Sequence, residues 1–435
     1  MHLFKNIRSI EDVRQSHLCT GCGICAALEP ERYQIQDFDD EGLRPVVLPG
    51  APEANGKALA ACPGFRLDRR TLIASDRCDP DLLPDWGPVE RVAEAYAADP
   101  TMRFEGSSGG AATAIASYCL QQAGMLAVLH TAADPHKPYA NQSRVSEDAS
   151  TLRSSAGSRY APSAPCAKLT ELGKHGKGVF IGKPCDVAAI YRAGLQDQRL
   201  QDSIGVTISI FCAGVPSTAG ALALAHESGA PSSHSIKALR FRGKGWPGNW
   251  KLDYVDTGGS AQSHSMSYQE SWEYLQRYRQ WRCYICPDHT GEFSDISVGD
   301  PWYRPIKPGE AGSSLVIART ERGAEILEGA IRAGFLKVTR EDKAMLPDSQ
   351  PNLLKTRGAL WGRLVTLRVL GAAAPVYHGF HLVGAFFRYC TPGEKISSIL
   401  GTVKRFVRKR LYQPAGSIIS KPEPATQAQD EAGVS

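Results

Sequence analysis

The sequence has no uninterrupted apolar run of the ~18 residues that a membrane-spanning helix needs. The first residues, Met1 to Arg8, also lack the apolar core of an export signal. Net charge is scarce as well, at +5 over 435 residues, which is too little to indicate a nucleic-acid partner. These absences predict a cytoplasmic protein that neither crosses a membrane nor binds nucleic acid.

Composition favours a globular protein of more than one domain. Hydrophobic residues make up 42% of the chain and charged residues 22%. A length of 435 residues exceeds what one hydrophobic core usually supports, so two domains with appendages are expected. The twelve cysteines, without an export signal, indicate a reducing compartment in which thiols serve as ligands or core residues.

The most informative motif is a run of three evenly spaced cysteines, Cys19, Cys22 and Cys25, followed at a distance by Cys62 and Pro63. A Cys-x2-Cys-x2-Cys loop directs three thiolates around a cuboidal cluster, and a remote Cys-Pro supplies the fourth. Zinc usually takes two separated pairs, and disulfides are not expected in a reducing cytosol. The spacing therefore predicts a 4Fe-4S cluster and a protein that moves electrons.

Four later cysteines form a second constellation: Cys185, Cys212, Cys283 and Cys286. The first two follow predicted strands, at the sheet edge where parallel strands gather their ligands, and the other two form a Cys-x2-Cys pair. One alternative is that Cys185 and Cys212 are buried core thiols. Another is that the pair binds zinc or takes part in redox exchange. Spacing alone leaves these interpretations open.

Periodicity divides the chain into regions. Residues 1–90 have little periodic structure and are rich in Cys, Pro, Gly and Asp, as expected of a small iron–sulfur module of ferredoxin-like type. From about Val92 strands alternate with helices, which predicts an α/β domain with a largely parallel sheet; after residue 235 the pattern becomes antiparallel, giving a mixed sheet. This domain is expected over residues 91–350, with a division near residue 170.

The remaining residues are predicted to form a helical extension over 351–418 and a disordered tail over 419–435. Residues 396–412 within the extension read as a basic amphipathic helix. Such helices lie on anionic membrane surfaces or dock to partners, so peripheral membrane contact is one interpretation. A solvated helix packed on the protein body is the other.

A set of motifs in fixed order resembles the coenzyme F420 hydrogenase/dehydrogenase beta-subunit family, which includes ferredoxin-dependent reductases of chlorophyll intermediates. Besides the first cysteine run, the motifs are Gly106–Gly110, Gly157–Ser163, Gly182–Asp186, Phe211–Ser217 and the segment Cys283–Asp300. The resemblance covers residues 15–350. It implies a flavoprotein with FAD and one or two 4Fe-4S clusters, and hence an α/β flavin-binding domain with a second cluster on the four later cysteines.

The resemblance also assigns the remaining site residues. Flavin contacts are expected from Gly106, Ser107, Ser108, Gly109, Gly110, Ser158, Arg159 and Tyr160. Lys183 is expected to hold negative charge on the reduced flavin. Asp288, His289, Asp295 and Asp300 are expected to deliver protons or to form hydrogen bonds to the ligand. For Gly106–Gly110 the alternative is a tight strand–helix junction, and for Gly157–Ser163 it is an exposed loop. For His289 the alternative is a residue that only supports a cluster loop. Residues 242–248 are expected to form a mobile substrate loop or a plain surface turn.

Two departures from the family pattern matter. No fourth cysteine lies near Cys25, so Cys62 as the last ligand of the first cluster is inferred. The extension beyond about residue 350 lies outside the motif pattern.

The sequence thus predicts an FAD- and iron–sulfur-dependent oxidoreductase. Electrons would pass from a ferredoxin-like donor or a partner redox subunit through the clusters to FAD and then to a small organic substrate. The first alternative is a coenzyme F420-linked subunit that pairs with a hydrogenase or formate dehydrogenase. The second is a non-catalytic electron-transfer protein without flavin.

Overall fold

The structure is a computed structural model that describes residues 6–307 and 309–416. The predicted disordered tail, 419–435, lies outside these residues. Strands are β1 (Tyr33–Phe38), β2 (Gly42–Val47), β3 (Arg66–Asp68), β4 (Arg91–Ala97), β5 (Ala127–Ala133), β6 (Asn141–Ser146), β7 (Gly178–Gly182), β8 (Ile204–Ile210), β9 (Ile236–Arg240), β10 (Trp250–Val255), β11 (Ala261–Met266), β12 (Ile296–Gly299), β13 (Ser314–Ala318), β14 (Leu336–Glu341) and β15 (Val376–His378).

Helices lie between these strands and make up most of the C-terminal extension. They are α1 (Ile10–Gln15), α2 (Ile24–Leu28), α3 (Lys57–Ala61), α4 (Leu83–Trp86), α5 (Pro100–Glu105), α6 (Ala111–Gln121), α7 (Ala149–Arg153), α8 (Leu169–Lys174), α9 (Pro184–Gly194), α10 (Gln198–Ser203), α11 (Thr218–Glu227), α12 (Tyr268–Leu275), α13 (Glu321–Arg332), α14 (Met345–Ser349), α15 (Pro351–Val369), α16 (Leu382–Tyr389) and α17 (Pro392–Arg408). Short 3-10 segments occupy Arg69–Thr71, Pro165–Lys168, Ser233–Ser235, Gln276–Tyr278 and Trp281–Ile285.

The largest sheet has eight strands in the order β14-β4-β13-β12-β8-β7-β5-β6 among the described residues. Strands β5, β7, β8 and β12 run parallel, and both flanks of this group are antiparallel. The predicted mixed α/β sheet is therefore confirmed. Beside it, β9, β10 and β11 form the antiparallel sheet expected after residue 235.

Two hydrophobic cores cover opposite faces of the large sheet. Neighbouring residues on a strand point to opposite faces, so Val128 packs in one core and Leu129 in the other. The first core is closed by α6 and α13, and the second by α8 and α9. This sandwich holds the carboxyl ends of β7 and β8 in fixed positions, where the predicted site residues follow.

The N-terminal residues and the C-terminal extension share one core. Leu18 and Cys25 pack with Leu360, Leu364 and Leu367 of α15 in a single cluster of buried side chains. Strand β3 also pairs in parallel with β15. The N-terminal region itself contains a β1–β2 hairpin and short helices, and the extension is part of its structure rather than an appendage.

Candidate functional site

The first cysteine set surrounds one small cavity. Cys19, Cys22, Cys25 and Cys62 all line a space of about 20 Å³. The loop can turn this tightly because Gly23, which begins α2, has a φ of 87°, and a Cβ there would lie 2.9 Å from the backbone of Ala167. One backbone N–H, that of Gly21, donates to Cys19 Sγ at 3.4 Å.

Burial opposes ionisation of these thiols. Burial and the neighbouring thiols raise the pKa of Cys25 well above its ordinary value and that of Cys62 to about 12. The pKa of Cys22 is instead lowered, because the Cys166 thiol donates to it. Buried neighbouring thiols such as these would need a bound cation to ionise together.

In the described part of the chain, no group of three or more histidine, cysteine or carboxylate side chains is arranged to hold a metal ion.

The second cysteine set is brought together from three places in the fold. Cys185 lies in the first turn of α9, Cys212 follows β8, and Cys283 and Cys286 lie at the 3-10 segment before β12. Burial and the charges of Cys283 and Cys286 raise the pKa of Cys212 to about 12. Burial likewise raises the pKa of Cys185, and the charges of Cys212 and Cys286 also act to raise it. All twelve cysteines are free of disulfide bonds.

Arg282 joins the two cysteine sets, which sequence reasoning missed. Its guanidinium donates to the carbonyl oxygens of Leu18 at 3.0 Å, Pro63 at 3.1 Å and Ile285 at 3.1 Å. Leu18 and Pro63 adjoin Cys19 and Cys62, and Ile285 precedes Cys286. The side chain is only 3% exposed, so one buried cation lies between both sets.

A large pocket opens at the carboxyl ends of β7 and β8, beside Cys212. Its volume is about 340 Å³. Most of the residues predicted from the sequence line it: Gly106, Ser107, Ser108, Gly110, Ser158, Arg159, Tyr160, Lys183 and His289. Gly109 and Asp288 are not among the lining residues. Cys212 belongs to both the pocket wall and the second cysteine set, which makes this edge of the sheet the candidate site.

The start of α6 offers free backbone N–H groups to the pocket. Gly110 caps this helix with a φ of 71°, and no side chain caps its first turn. A Cβ at Gly110 would lie 2.7 Å from the Met102 carbonyl oxygen, so only glycine fits. Ala111, Ala112 and Thr113 line the pocket. An uncapped helix start of this kind binds phosphate groups.

The other residues of this loop fix its shape. The Ser107 hydroxyl accepts the backbone N–H of Ser158, which ties the two predicted flavin loops together. Gly109 is not a lining residue, but its N–H donates at 2.9 Å to Oγ of Ser314, which does line the pocket.

Arg159 and Lys183 line the pocket but already have partners. The Arg159 guanidinium donates to the carbonyl oxygens of Pro138 and Ala140, and burial lowers its pKa to about 10. Lys183 Nζ donates to Ser163 Oγ at 2.9 Å and Asp186 Oδ2 at 2.7 Å. Burial acts to lower the pKa of Lys183, but the Asp186 carboxylate together with the Cys185 and Cys212 sulfurs raises this pKa overall. Lys183 is therefore held as a fixed cation.

His289 has one nitrogen without a partner. Its Nδ1 lies 2.8 Å from the Cys212 carbonyl oxygen and must donate there, whereas Nε2 is buried and has no hydrogen-bond partner in the structure. Burial and the charge of Arg279 lower its pKa to about 4, so the ring is neutral at pH 7. Nε2 is therefore an acceptor in the pocket wall.

Asp288 organises its own loop. Its carboxylate accepts the backbone N–H groups of Thr290, Gly291 and Glu292 at 2.8–3.0 Å. Burial and the charge of Glu292 raise its pKa to about 6. Asp295, also named from the sequence, accepts from Thr207 and pairs with Arg322 instead of facing the pocket.

The wall opposite α6 is aromatic and contains a buried ion pair. Arg242 donates to both oxygens of Asp300, at 2.6 and 2.7 Å, and its guanidinium lies 4.6 Å from the Tyr268 ring centre. Trp246 Nε1 also donates to Asp300, at 2.9 Å. Arg242 and Trp246 are buried, so residues 242–248 do not form the exposed turn that was one expectation. Asp300 has the role of an ion-pair partner.

The C-terminal extension supports the second cysteine set. Arg363 donates to the Tyr284 carbonyl oxygen at 2.6 Å, and the Tyr377 hydroxyl donates to that of Ile285 at 2.7 Å. Arg357 Nε donates to the Pro287 carbonyl oxygen at 3.3 Å. The extension therefore fixes the loop that holds Cys283 and Cys286.

No helix in residues 6–307 and 309–416 has both the length and the apolarity for a membrane crossing.

Comparisons with known proteins follow this geometry. Two family models match: coenzyme F420 hydrogenase/dehydrogenase, beta subunit N-term, over residues 92–171, and the C terminus of the same subunit, over residues 176–344. Together they span more than half of the chain, from β4 to β14.

Individual relatives have low sequence identity to this chain but match it over most of their own length. An uncharacterized protein of Methanocaldococcus jannaschii is 22% identical over 77% of this chain and 92% of its own. The coenzyme F420 hydrogenase subunit beta of Methanothermobacter thermautotrophicus is 24% identical over 58% of this chain and 84% of its own. A solved chain of the xenon-derivatised F420-reducing (NiFe) hydrogenase complex of Methanosarcina barkeri has a TM-score of 0.49 at 19% identity, covering 68% of this chain and 96% of that one. On the two family models, the chain belongs to the coenzyme F420 hydrogenase/dehydrogenase beta-subunit family.

Proposed function

We propose that this protein is the electron-transferring subunit of a coenzyme F420-linked oxidoreductase, with two 4Fe-4S clusters and one FAD. The observation that carries the proposal is the position of Cys212, which lines the large pocket and also belongs to the second cysteine set. A cluster and a flavin at these two sites would be neighbours. The named relative, a coenzyme F420 hydrogenase subunit beta, supports the deazaflavin as the two-electron partner.

The residues present fit the cofactors. Cys19, Cys22, Cys25 and Cys62 would hold one cluster, and Cys185, Cys212, Cys283 and Cys286 the other. The free N–H groups of Ala111 to Thr113 would bind the FAD diphosphate. Bound flavin would supply the exchange of a hydride for single electrons.

Side chains around the pocket would orient a bound ring and balance its charge. His289 Nε2, a buried acceptor, would take a hydrogen bond from an N–H of a bound ring. Lys183, a fixed cation, would favour negative charge nearby. The aromatic wall of Tyr160, Tyr268 and Trp272 would exclude water from the ring face. Asp288, which lies off the pocket, would keep the His289 loop in shape rather than transfer protons.

The comparisons favour this F420-linked function over the ferredoxin-fed reductase that the sequence ranked first. The chain matches the beta-subunit models across the pocket and the second cysteine set. A partner redox subunit is accordingly expected to deliver or take electrons through the first cysteine set.

Anaerobic purification and reduction tests check the proposal. About eight irons and one FAD per chain are expected, with flavin absorbance bleached by reduced coenzyme F420 and not by reduced ferredoxin alone. Cys212→Ala should halve the iron content, whereas Cys119→Ala, which removes a buried thiol of α6, should leave it unchanged. Protein without flavin absorbance, or bleaching by ferredoxin only, would reject the assignment.

A further inference from the structure

Helix α17 (Pro392–Arg408) presents most of its large apolar side chains to solvent, while Phe406 packs on the core shared with α15. Exposed side chains of this helix are Ile396, Ile399, Leu400, Val403 and Val407, between 37% and 62% accessible. At about 100° per residue these positions form one stripe along the helix. Surface helices of globular proteins have the reverse arrangement, with the apolar stripe facing the core.

Apart from Phe406, the side of α17 that packs on the protein is polar. Ser398 and Thr402 are buried, and Gly362 of α15 lies so close that a Cβ there would come within 2.3 Å of Ser398 Oγ. Arg405 also turns inward, 4.7 Å from the Tyr284 ring centre. The orientation of the helix is thus fixed by contacts on its polar side, and the apolar stripe is held pointing outward.

Cations flank the stripe. Lys404 and Arg408 are exposed at its side, and Arg410 is exposed just beyond the helix. Residues 395–416 contain six lysines and arginines and no acidic residue. Two further exposed apolar residues, Val383 and Phe387, lie on α16, and Lys395 Nζ is 5.0 Å from the Phe387 ring centre. The result is an apolar surface with a positive border, here called the α16–α17 face.

We infer that the α16–α17 face binds the surface of an anionic lipid bilayer. An apolar stripe of Ile, Leu and Val beside exposed lysines and arginines is the composition of helices that lie in the membrane interface. Protein–protein interfaces instead concentrate their energy in Trp, Tyr and Arg, with Leu and Val under-represented. The cations match negatively charged headgroups, which attract each nearby Lys or Arg.

The inference gives the protein a location that its electron-transfer chemistry does not imply. The face is built on the extension that also supports the Cys283–Cys286 loop, through Arg363 and Tyr377. Binding would therefore hold the second cysteine set at a defined orientation to the bilayer, through contacts with the same helices.

Sedimentation with lipid vesicles tests the inference on the full chain. We expect the protein to pellet with vesicles of phosphatidylcholine and phosphatidylglycerol, and far less with phosphatidylcholine alone or at high salt. Leu400→Glu should lower the partition coefficient by roughly tenfold or more, because a charge replaces aliphatic surface that would be buried in the bilayer. Lys404→Gln and Arg408→Gln should each weaken it by about fivefold.

A matched control separates binding from folding. Leu195→Glu places the same charge on an equally exposed leucine, 57% accessible, outside this face, and should bind as the unchanged protein does. All variants should keep their circular dichroism spectrum. Absence of the protein from anionic vesicles, or Leu400→Glu binding undiminished, would overturn the inference. So would a dimer that forms without lipid and is lost in Leu400→Glu, which would assign the face to a second copy.

Discussion

Arg282 Nη2 donates to the carbonyl oxygen of Pro63 at 3.1 Å, across 219 residues of sequence. The same guanidinium reaches Leu18 and Ile285, so one buried cation fixes the spacing of both cysteine sets. Without it, three buried carbonyl groups would lose a donor.

Arg282→Met should lower the free energy of unfolding by about 3 kcal/mol, since each buried group left unsatisfied costs about 1–3 kcal/mol. Removing the positive charge should also lower the reduction potentials of both clusters, because a cation favours the added electron. Urea unfolding and an anaerobic redox titration measure the two effects. Arg282→Lys keeps the charge and should retain the potentials while losing stability; Arg277→Met, at an exposed site nearby, should change neither.

Cys62→Ala tests the fourth ligand of the first cluster. The iron content should fall from about eight to about four per chain, because three remaining thiolates bind a 4Fe-4S cluster poorly. Iron analysis and electron paramagnetic resonance of the reduced protein follow the loss. Cys78→Ala, a half-buried cysteine outside both sets, should leave the iron content unchanged. Persistence of both clusters in Cys62→Ala would show that the ligand assignment is wrong.

His289→Phe removes the unpartnered acceptor from the pocket wall. Flavin affinity should fall by about tenfold, which corresponds to one hydrogen bond of about 1.4 kcal/mol. Quenching of flavin fluorescence during titration of deflavinated protein measures it. His289→Gln, which can retain an acceptor, should lose less. An unchanged affinity in both variants would remove His289 from the flavin site.

The burial of His130 predicts that the protein loses stability as the pH falls. The ring is buried, with its Nε2 accepting from Ser146 Oγ, and burial lowers its pKa to about 4 from an ordinary value of 6.5. The unfolded chain therefore binds the proton more readily, and stability falls as the pH drops from about 6.5 to 4. At pH 5 the loss is about 2 kcal/mol.

Because other groups also titrate, the measurement is the difference between His130→Gln and the unchanged protein. Urea unfolding at several pH values should show a shallower acid decline in the variant. Parallel declines would exclude His130 as the source.

Local features of the fold could be predicted from the sequence. The short apolar run at 178–182 coincides with β7, and the glycine-rich segment at 106–110 leads directly into α6. Both follow from short-range signals, namely a compact apolar run and glycines ahead of an alanine-rich helix. Both cysteine sets could also be predicted, because the even spacing of the first and the strand-end positions in the second are local features of the sequence.

Long-range relationships were not predictable. Nothing near Arg282 in the sequence indicates that its donors reach Leu18 and Pro63, and nothing near Arg242 indicates Asp300. The partners of Lys183 and Arg159 were not predictable either, since Ser163, Pro138 and Ala140 come from other segments. The helix predicted at 396–412 begins earlier, at Pro392, because Thr391 and Glu394 form a capping box there.

The core shared by the first cysteine set and α15 has a consequence for how the protein is made. Synthesis proceeds from the N-terminus, so Cys19 to Cys62 emerge long before Leu360, Leu364 and Leu367, which complete their core. Until those leucines arrive, the thiols lack the apolar cover seen in the finished protein. Iron delivered to the nascent chain would meet an open loop, whereas iron delivered afterwards would have to enter a closed one, so the arrival of α15 would limit when the proposed cluster could be inserted.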